Sequence, residues 1–86
     1  MLKIYGSMLC KDCVACCADL DREGVAYEFL DFASQLSYLK EFLIIRDQNP
    51  LFAAVKEQGG IGIPCILEPD GSVTLDWAEY VGQDEA

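Results

Sequence analysis

Histidine is absent from this 86-residue chain. No site can then use imidazole as a base, a proton shuttle or a metal ligand, and a Ser–His–Asp triad is excluded. Basic residues are scarce: 6 Lys and Arg stand against 15 Asp and Glu, for a formal charge of −9. That balance argues against nucleic acid as a partner, because phosphate binding relies on neutralisation by Lys and Arg. The acidic residues are spread out rather than run together, so they read first as a solubilising surface. Such a surface also disfavours anionic partners such as glutathione. Long apolar runs are missing too. The stretch Met1-Leu2-Lys3-Ile4-Tyr5-Gly6 is far too short for a signal-peptide core or a membrane span. No membrane partner is expected, and the expected location is cytoplasmic, where thiols stay reduced unless they carry out chemistry. Paired carboxylates are absent. Gly59-Gly60 with Gly62 has no lysine after it and no helix starting there, so it reads as a helix stop and loop rather than a phosphate cradle.

What is present is a hydrophobic share of 52%, ample for the core of a single domain over residues 1–86. Five cysteines are too few, and odd in number, for a disulfide-stapled scaffold. Leu2-Lys3-Ile4-Tyr5 alternates as a strand, and residues 13–23 read as a helix with Val14, Cys17 and Leu20 on one face and Gly24 as its stop. Residues 25–32 form a second strand by β-branched and aromatic content. Ser34 then caps a helix with Leu36, Leu39, Phe42 and Leu43 at helical spacing. Asn49-Pro50 ends it and starts another, whose apolar face is Leu51, Phe52 and Val55. Cys65-Ile66-Leu67 is a third strand, and Asp70-Gly71 turns the chain into a fourth over residues 72–77. The tail from Ala78 is expected to hold a short helix and then fray. The order β-α-β-α-α-β-β makes the first two strands parallel and the last two antiparallel.

The chemistry concentrates in Cys10-Lys11-Asp12-Cys13, after the first strand and at the start of the first helix. Two cysteines three positions apart exchange between dithiol and disulfide with little backbone movement. A sulfur at a helix start faces unpaired N–H groups and the positive end of the helix dipole, which favour a thiolate, the nucleophile of disulfide exchange. Lys11 favours that charge and Asp12 opposes it.

With Ile4-Tyr5 before the loop, Gly24-Val25-Ala26-Tyr27-Glu28 entering the second strand and Ile63-Pro64 entering the third, the chain resembles a glutaredoxin-like member of the thioredoxin superfamily over about residues 2–77. It is also similar to the small redoxins that feed electrons to ribonucleotide reductase. The resemblance implies an α/β, thioredoxin-like (glutaredoxin-type) fold, a four-stranded mixed sheet flanked by helices on both faces. It implies a cis Pro64 beside Cys10, with the backbone of Ile63 turned toward the site as a shelf for substrate. The activity implied is thiol–disulfide oxidoreduction. Cys10 attacks, Cys13 resolves, and Leu9, Lys11, Ile63 and Pro64 contact substrate. The substrate is a disulfide-containing protein or small molecule, no bound cofactor is needed, and a monomer is expected. Electrons arrive from a reductase or from glutathione. Departures bear on that donor: Lys11 and Asp12 replace the usual proline and tyrosine, Gly62-Ile63 replace threonine–valine, and Leu75-Asp76-Trp77 stand where a glutathione-binding Gly-Gly segment is usual.

Three further cysteines are candidate modulators of the site. Cys17 falls in the apolar stripe and reads as a small buried hydrophobe, while Cys16 is expected to be lateral. Cys65 points into the core or lies near the site. A competing reading of a different class gathers Cys10, Cys13, one of Cys16 and Cys17, and Cys65 around zinc or an iron–sulfur cluster. The spacing lacks the second distant pair of a zinc ribbon, so no metal ligands are assigned. Trp77, Tyr80 and Tyr5 read as packing aromatics.

Overall fold

The computed structural model describes residues 1–81. Its central strand is β1 (Leu2–Gly6), which is buried at every position except Lys3. Such a run marks a strand covered on both faces. β1 lies between β2 (Tyr27–Asp31) and β3 (Cys65–Leu67). It pairs in parallel with β2, Leu2 opposite Tyr27 and Gly6 opposite Asp31, and antiparallel with β3, Tyr5 opposite Cys65. The parallel pair follows from α1 (Lys11–Arg22), which carries the chain from one strand end back to the other. β4 (Val73–Thr74) pairs antiparallel with β3, giving the strand order β2-β1-β3-β4. The protein is thus α/β with a four-stranded mixed sheet.

Each face of the sheet has its own core. On one, Cys16 and Leu20 of α1 pack with Leu2, Ile4 and Ile66, and Trp77 and Tyr80 of the 3-10 turn Trp77–Tyr80 close over them. On the other, Phe42 of α2 (Leu36–Gln48) and Phe52 of the 3-10 turn Pro50–Phe52 pack with Tyr5, Leu30 and Cys65. The Phe42 and Phe52 rings meet edge to face at 6.0 Å. Residues Ala53–Glu57 form α3. No helix among the described residues is long and apolar enough to cross a membrane.

Several elements differ from the sequence expectation, each for a local reason. α1 starts at Lys11, and its buried stripe is Cys13, Cys16, Cys17 and Leu20, the i, i+3, i+4, i+7 pattern of a single helix face. Cys16 is therefore fully buried rather than lateral, and Val14 is 46% exposed. Ser34 does not cap α2. Its hydroxyl donates to the Asp31 carbonyl, and Gln35 stands at the cap, its side chain bonded to Tyr38 and Ser37 rather than to a backbone N–H of the helix. Only Phe42 of α2 is fully buried, and Leu36 and Leu43 face solvent. Asn49 caps the next segment as expected, accepting from the Leu51 N–H at 2.9 Å, but that segment is a 3-10 turn running into α3, with Leu51 exposed. β4 is two residues long because Asp76 accepts from the Ala78 N–H and starts a 3-10 turn there. Expectations for the tail beyond residue 81 lie outside the described residues.

Candidate active site

The turn after β1 presents the cysteine motif. The Cys10 N–H donates to the Ser7 carbonyl at 3.0 Å, and the Leu9 N–H donates to the Ser7 hydroxyl at 3.1 Å. Cys10 is the N-cap of α1 in extended conformation, and the Val14 N–H donates to its carbonyl at 3.1 Å. No side chain caps this helix, so Cys10 stands at a helix start whose first-turn N–H donors have no side-chain partner. Cys10 is partly exposed, Leu9 is 93% exposed, and Met8, Lys11 and Asp12 are also exposed.

Cys13, one turn along, is fully buried. Burial pushes its thiol up to about 12; the Ser7 backbone N–H opposes that rise, and the adjoining Cys10 sulfur adds to it. Its sulfur sits where a Cβ on Gly6 would be, 2.5 Å from that position. The strand thus ends on glycine because the cysteine needs the space. Gly6 is a site residue that the spacing of cysteines did not point to. The visible signal was a glycine closing the strand just before the motif.

Cys10 and Cys13 differ from the other neighbouring pairs in what they can form. Within a regular helix, positions i and i+3 or i+4 hold their Cβ atoms about 5–6 Å apart. A disulfide needs about 3.5–4.5 Å. Cys13–Cys16 and Cys13–Cys17 are held by that helical geometry, whereas extended Cys10 lies outside it. Burial also pushes Cys16 to about 12, with the neighbouring Cys17 and Cys13 sulfurs and Asp19 adding to it. Burial raises Cys17, and the Tyr27 hydroxyl draws it partly back. That hydroxyl itself donates to Asp21 at 2.8 Å.

Cys65 lies in the cluster on the opposite face of the sheet from Cys16, and burial pushes its thiol to about 12. It is a core residue, with its backbone opposite Tyr5. The Tyr5 hydroxyl donates to Glu41 at 3.0 Å. Among the described residues, no three or more Cys, Asp or Glu side chains are grouped to hold a metal ion.

The register carries Ile63-Pro64 to the same end of the sheet as the cysteine loop. Tyr5 faces Cys65 on antiparallel strands, so Pro64, one residue before Cys65, falls alongside Gly6, one residue after Tyr5. The Ile63–Pro64 peptide bond is cis, as the resemblance implies; Pro64 is buried and Ile63 half-buried. The loop leading there is fixed from two sides. Arg46 of α2 donates to the Gly60 carbonyl at 2.8 Å, and the Gly60 N–H donates to Val55 at 2.9 Å. Gly62, at φ +96°, lies so close to Phe52 that a Cβ would meet the ring at 2.7 Å. Nothing in the pattern of the sequence marked Arg46 for this role. A cleft of about 320 Å³ lies elsewhere, lined by Met1, Lys3, Leu67, Glu68, Pro69 and Gly71, and holds no cysteine.

The chain is therefore a small α/β protein with a dithiol at the first helix start, one sulfur accessible and one enclosed. An uncharacterized protein of Haemophilus influenzae (strain ATCC 51907 / DSM 11121 / KW20 / Rd) is 40% identical to it over 73 residues, which span 85% of each chain. The chain belongs to the same family as that protein. No family model matches the chain, and no solved structure does.

Proposed function

We propose that this protein is a dithiol–disulfide oxidoreductase of glutaredoxin-like type, built on a thioredoxin-like fold and working in the cytoplasm. The observation that carries the reading is the contrast between accessible, extended Cys10 at the helix cap and enclosed, helical Cys13 one turn on. In the reaction, the Cys10 thiolate attacks one sulfur of a target disulfide. The target S–S bond breaks, a Cys10–target mixed disulfide forms, and the other target sulfur leaves with the electron pair and takes up a proton. Cys13 then gives up its proton and attacks Cys10 Sγ. The mixed disulfide breaks, the second target sulfur leaves as a thiol, and a Cys10–Cys13 disulfide remains. Two electrons have passed to the target, and an external dithiol returns them by the same exchange in reverse. Leu9, Lys11, Ile63 and Pro64 are assigned to substrate contact: the first two flank Cys10 in the chain, and the last two lie at the same end of the sheet as the cysteine loop.

A flavoenzyme-type dithiol reductase is the assigned donor in preference to glutathione. The charge of −9 disfavours an anionic tripeptide, and Leu75-Asp76-Trp77 replaces the usual glutathione-binding segment. The test is equilibration of the protein across glutathione redox ratios, with alkylation and mass spectrometry to read each cysteine. Cys10 and Cys13 are expected to oxidise together as one two-electron pair, and Cys13→Ser to accumulate a mixed disulfide on Cys10. Titration of any other pair first, or of none, overturns the reading.

A further inference from the structure

One face of α2 is left uncovered in a way the oxidoreductase chemistry does not use. Leu36 is 64% exposed, Leu43 40% and Ile44 58%. At about 100° per residue, Leu36, Lys40, Leu43 and Asp47 fall within an arc of about 60°, with Ile44 at its margin. Single exposed apolar residues are ordinary on a surface, but three on one helix face form a patch. The opposite face of α2 is occupied by Tyr38, Leu39, Phe42 and Ile45, which pack into the core. The patch is therefore the helix's second apolar surface rather than a misplaced first one.

Its two charges say what fits it. The ion pair found among the described residues is Arg22–Asp19, and neither Lys40 nor Asp47 has a salt-bridge or hydrogen-bond partner there. Lys40 and Asp47 lie at equal distances on either side of the midpoint between Leu43 and Ile44. A two-fold axis through that midpoint, perpendicular to the helix, sets each Lys40 opposite the second copy's aspartate and brings the Leu43 and Ile44 pairs together at the centre. This is the reciprocal contact that an isologous interface demands. A parallel pairing would instead set lysine against lysine and aspartate against aspartate.

We infer that α2 is a homodimer interface, in place of the monomer expected from the sequence: two copies associate antiparallel through Lys40, Leu43, Ile44 and Asp47. About that axis the two helices overlap over residues 39–48, about 15 Å at 1.5 Å per residue, so the contact sits at the small end of specific interfaces, and the dimer is weak and reversible. Because β1 and β2 are parallel, the start of α2 lies at the Cys10 end of the sheet. Antiparallel association therefore sends the two dithiols to opposite poles and leaves both open.

The test is sedimentation equilibrium of the full chain from micromolar to millimolar concentration, with a reductant present to prevent disulfide-linked dimers. Wild type is expected to show a concentration-dependent dimer. Lys40→Glu and Asp47→Lys are each expected to weaken it about tenfold, because both symmetry-related pairs become like-charged. The double variant Lys40→Glu/Asp47→Lys is expected to return to wild-type association, and Ile44→Glu to be monomeric with an unchanged circular dichroism spectrum. All three positions are exposed, so folding is not at stake. A wild type that stays monomeric throughout overturns the inference and leaves the face to a different protein. A double variant no tighter than the singles overturns it equally.

Discussion

Gly6→Ala adds one methyl group, placed 2.5 Å from Cys13 Sγ. Non-bonded heavy atoms rest at about 3.5–4.0 Å, so the sulfur or the strand must shift by about 1 Å. The sulfur has no solvent side to retreat into, because Cys13 is fully buried. The Phe29 ring atoms at 3.5 Å are in ordinary contact and would resist little. Overpacking of this kind costs about 1–3 kcal/mol. Against it stands the gain of about 0.5–1 kcal/mol from replacing glycine in a strand interior. The net is a loss of up to about 2.5 kcal/mol, or a fall in Tm of up to about 20 °C for a domain of this size. Thermal unfolding of the reduced protein, followed by circular dichroism, reads this directly. The decisive comparison is made in a Cys13→Ala background, where the sulfur is gone and Gly6→Ala should be neutral or stabilising. The coupling between the two positions is expected at about 1–3 kcal/mol. Equal effects of Gly6→Ala in both backgrounds would refute the account of why β1 ends on glycine. The same shift should slow release of a Cys10 mixed disulfide by about a hundredfold, since about 1 Å of misplacement commonly has that effect.

The raised thiols make stability fall in alkali. Cys13, Cys16 and Cys65 ionise at about 12 in the folded protein and at 9.0 unperturbed, so the unfolded chain loses their protons first. Their contribution is whole below pH 9 and drains away as pH rises through the raised folded values; a flat urea midpoint from pH 9 upward would count against it. Gly62→Ala meets both an unfavourable backbone at φ +96° and the Phe52 ring, and should lose about 2–6 kcal/mol, read as a lower urea midpoint or failure to fold. The Trp77 indole N–H, then Arg22, hold the Asp19 carboxyl below its ordinary 3.8. That stabilisation is present above about pH 4 and is lost as pH falls through the depressed value. Trp77→Phe should therefore flatten the acid limb of the stability curve, and an acid limb identical to wild type would remove Asp19 as its cause. Arg46→Met frees the Gly60 carbonyl, and is expected to raise KM for a disulfide substrate more than it lowers kcat.

The element order and the strand directions were legible because they rest on strong local signals, whereas the spatial order β2-β1-β3-β4 comes from the structure. Asp70-Gly71 turns the chain as read, with Gly71 at φ +93° donating to Glu68, and Asn49-Pro50 starts a new segment as read. The phase of α1 is not legible in the sequence because Cys13, Val14, Cys16 and Cys17 all pass as apolar and periodicity alone does not choose among them. Packing chooses: Cys13 must turn inward against Gly6, and the next residue, Val14, then rotates outward by a helical step. With that rotation Cys16 comes to the buried face. α2 was misjudged because its leucines fit two faces, and periodicity does not say which of two apolar stripes meets the sheet. The short β4 depended on Asp76 preferring to cap a turn over extending a strand. The support for the loop that ends in the cis Ile63–Pro64 bond joins Arg46, Phe52 and Gly60 across the chain, and no window of sequence holds all three.

Four of the five sulfurs are sealed into the interior, and one is not. An oxidant such as peroxide attacks the thiols it can reach, and repeated attack carries them on to irreversible sulfinic and sulfonic acids. Wear on this molecule therefore falls on Cys10. Closure of the Cys10–Cys13 disulfide would protect it, since a sulfur bound in a disulfide is out of reach of that ladder while it waits for a donor. The enclosed partner sulfur would then serve as the shield that lets the exposed one be used repeatedly, and the working life of the protein would be set by how quickly the pair closes after each exposure.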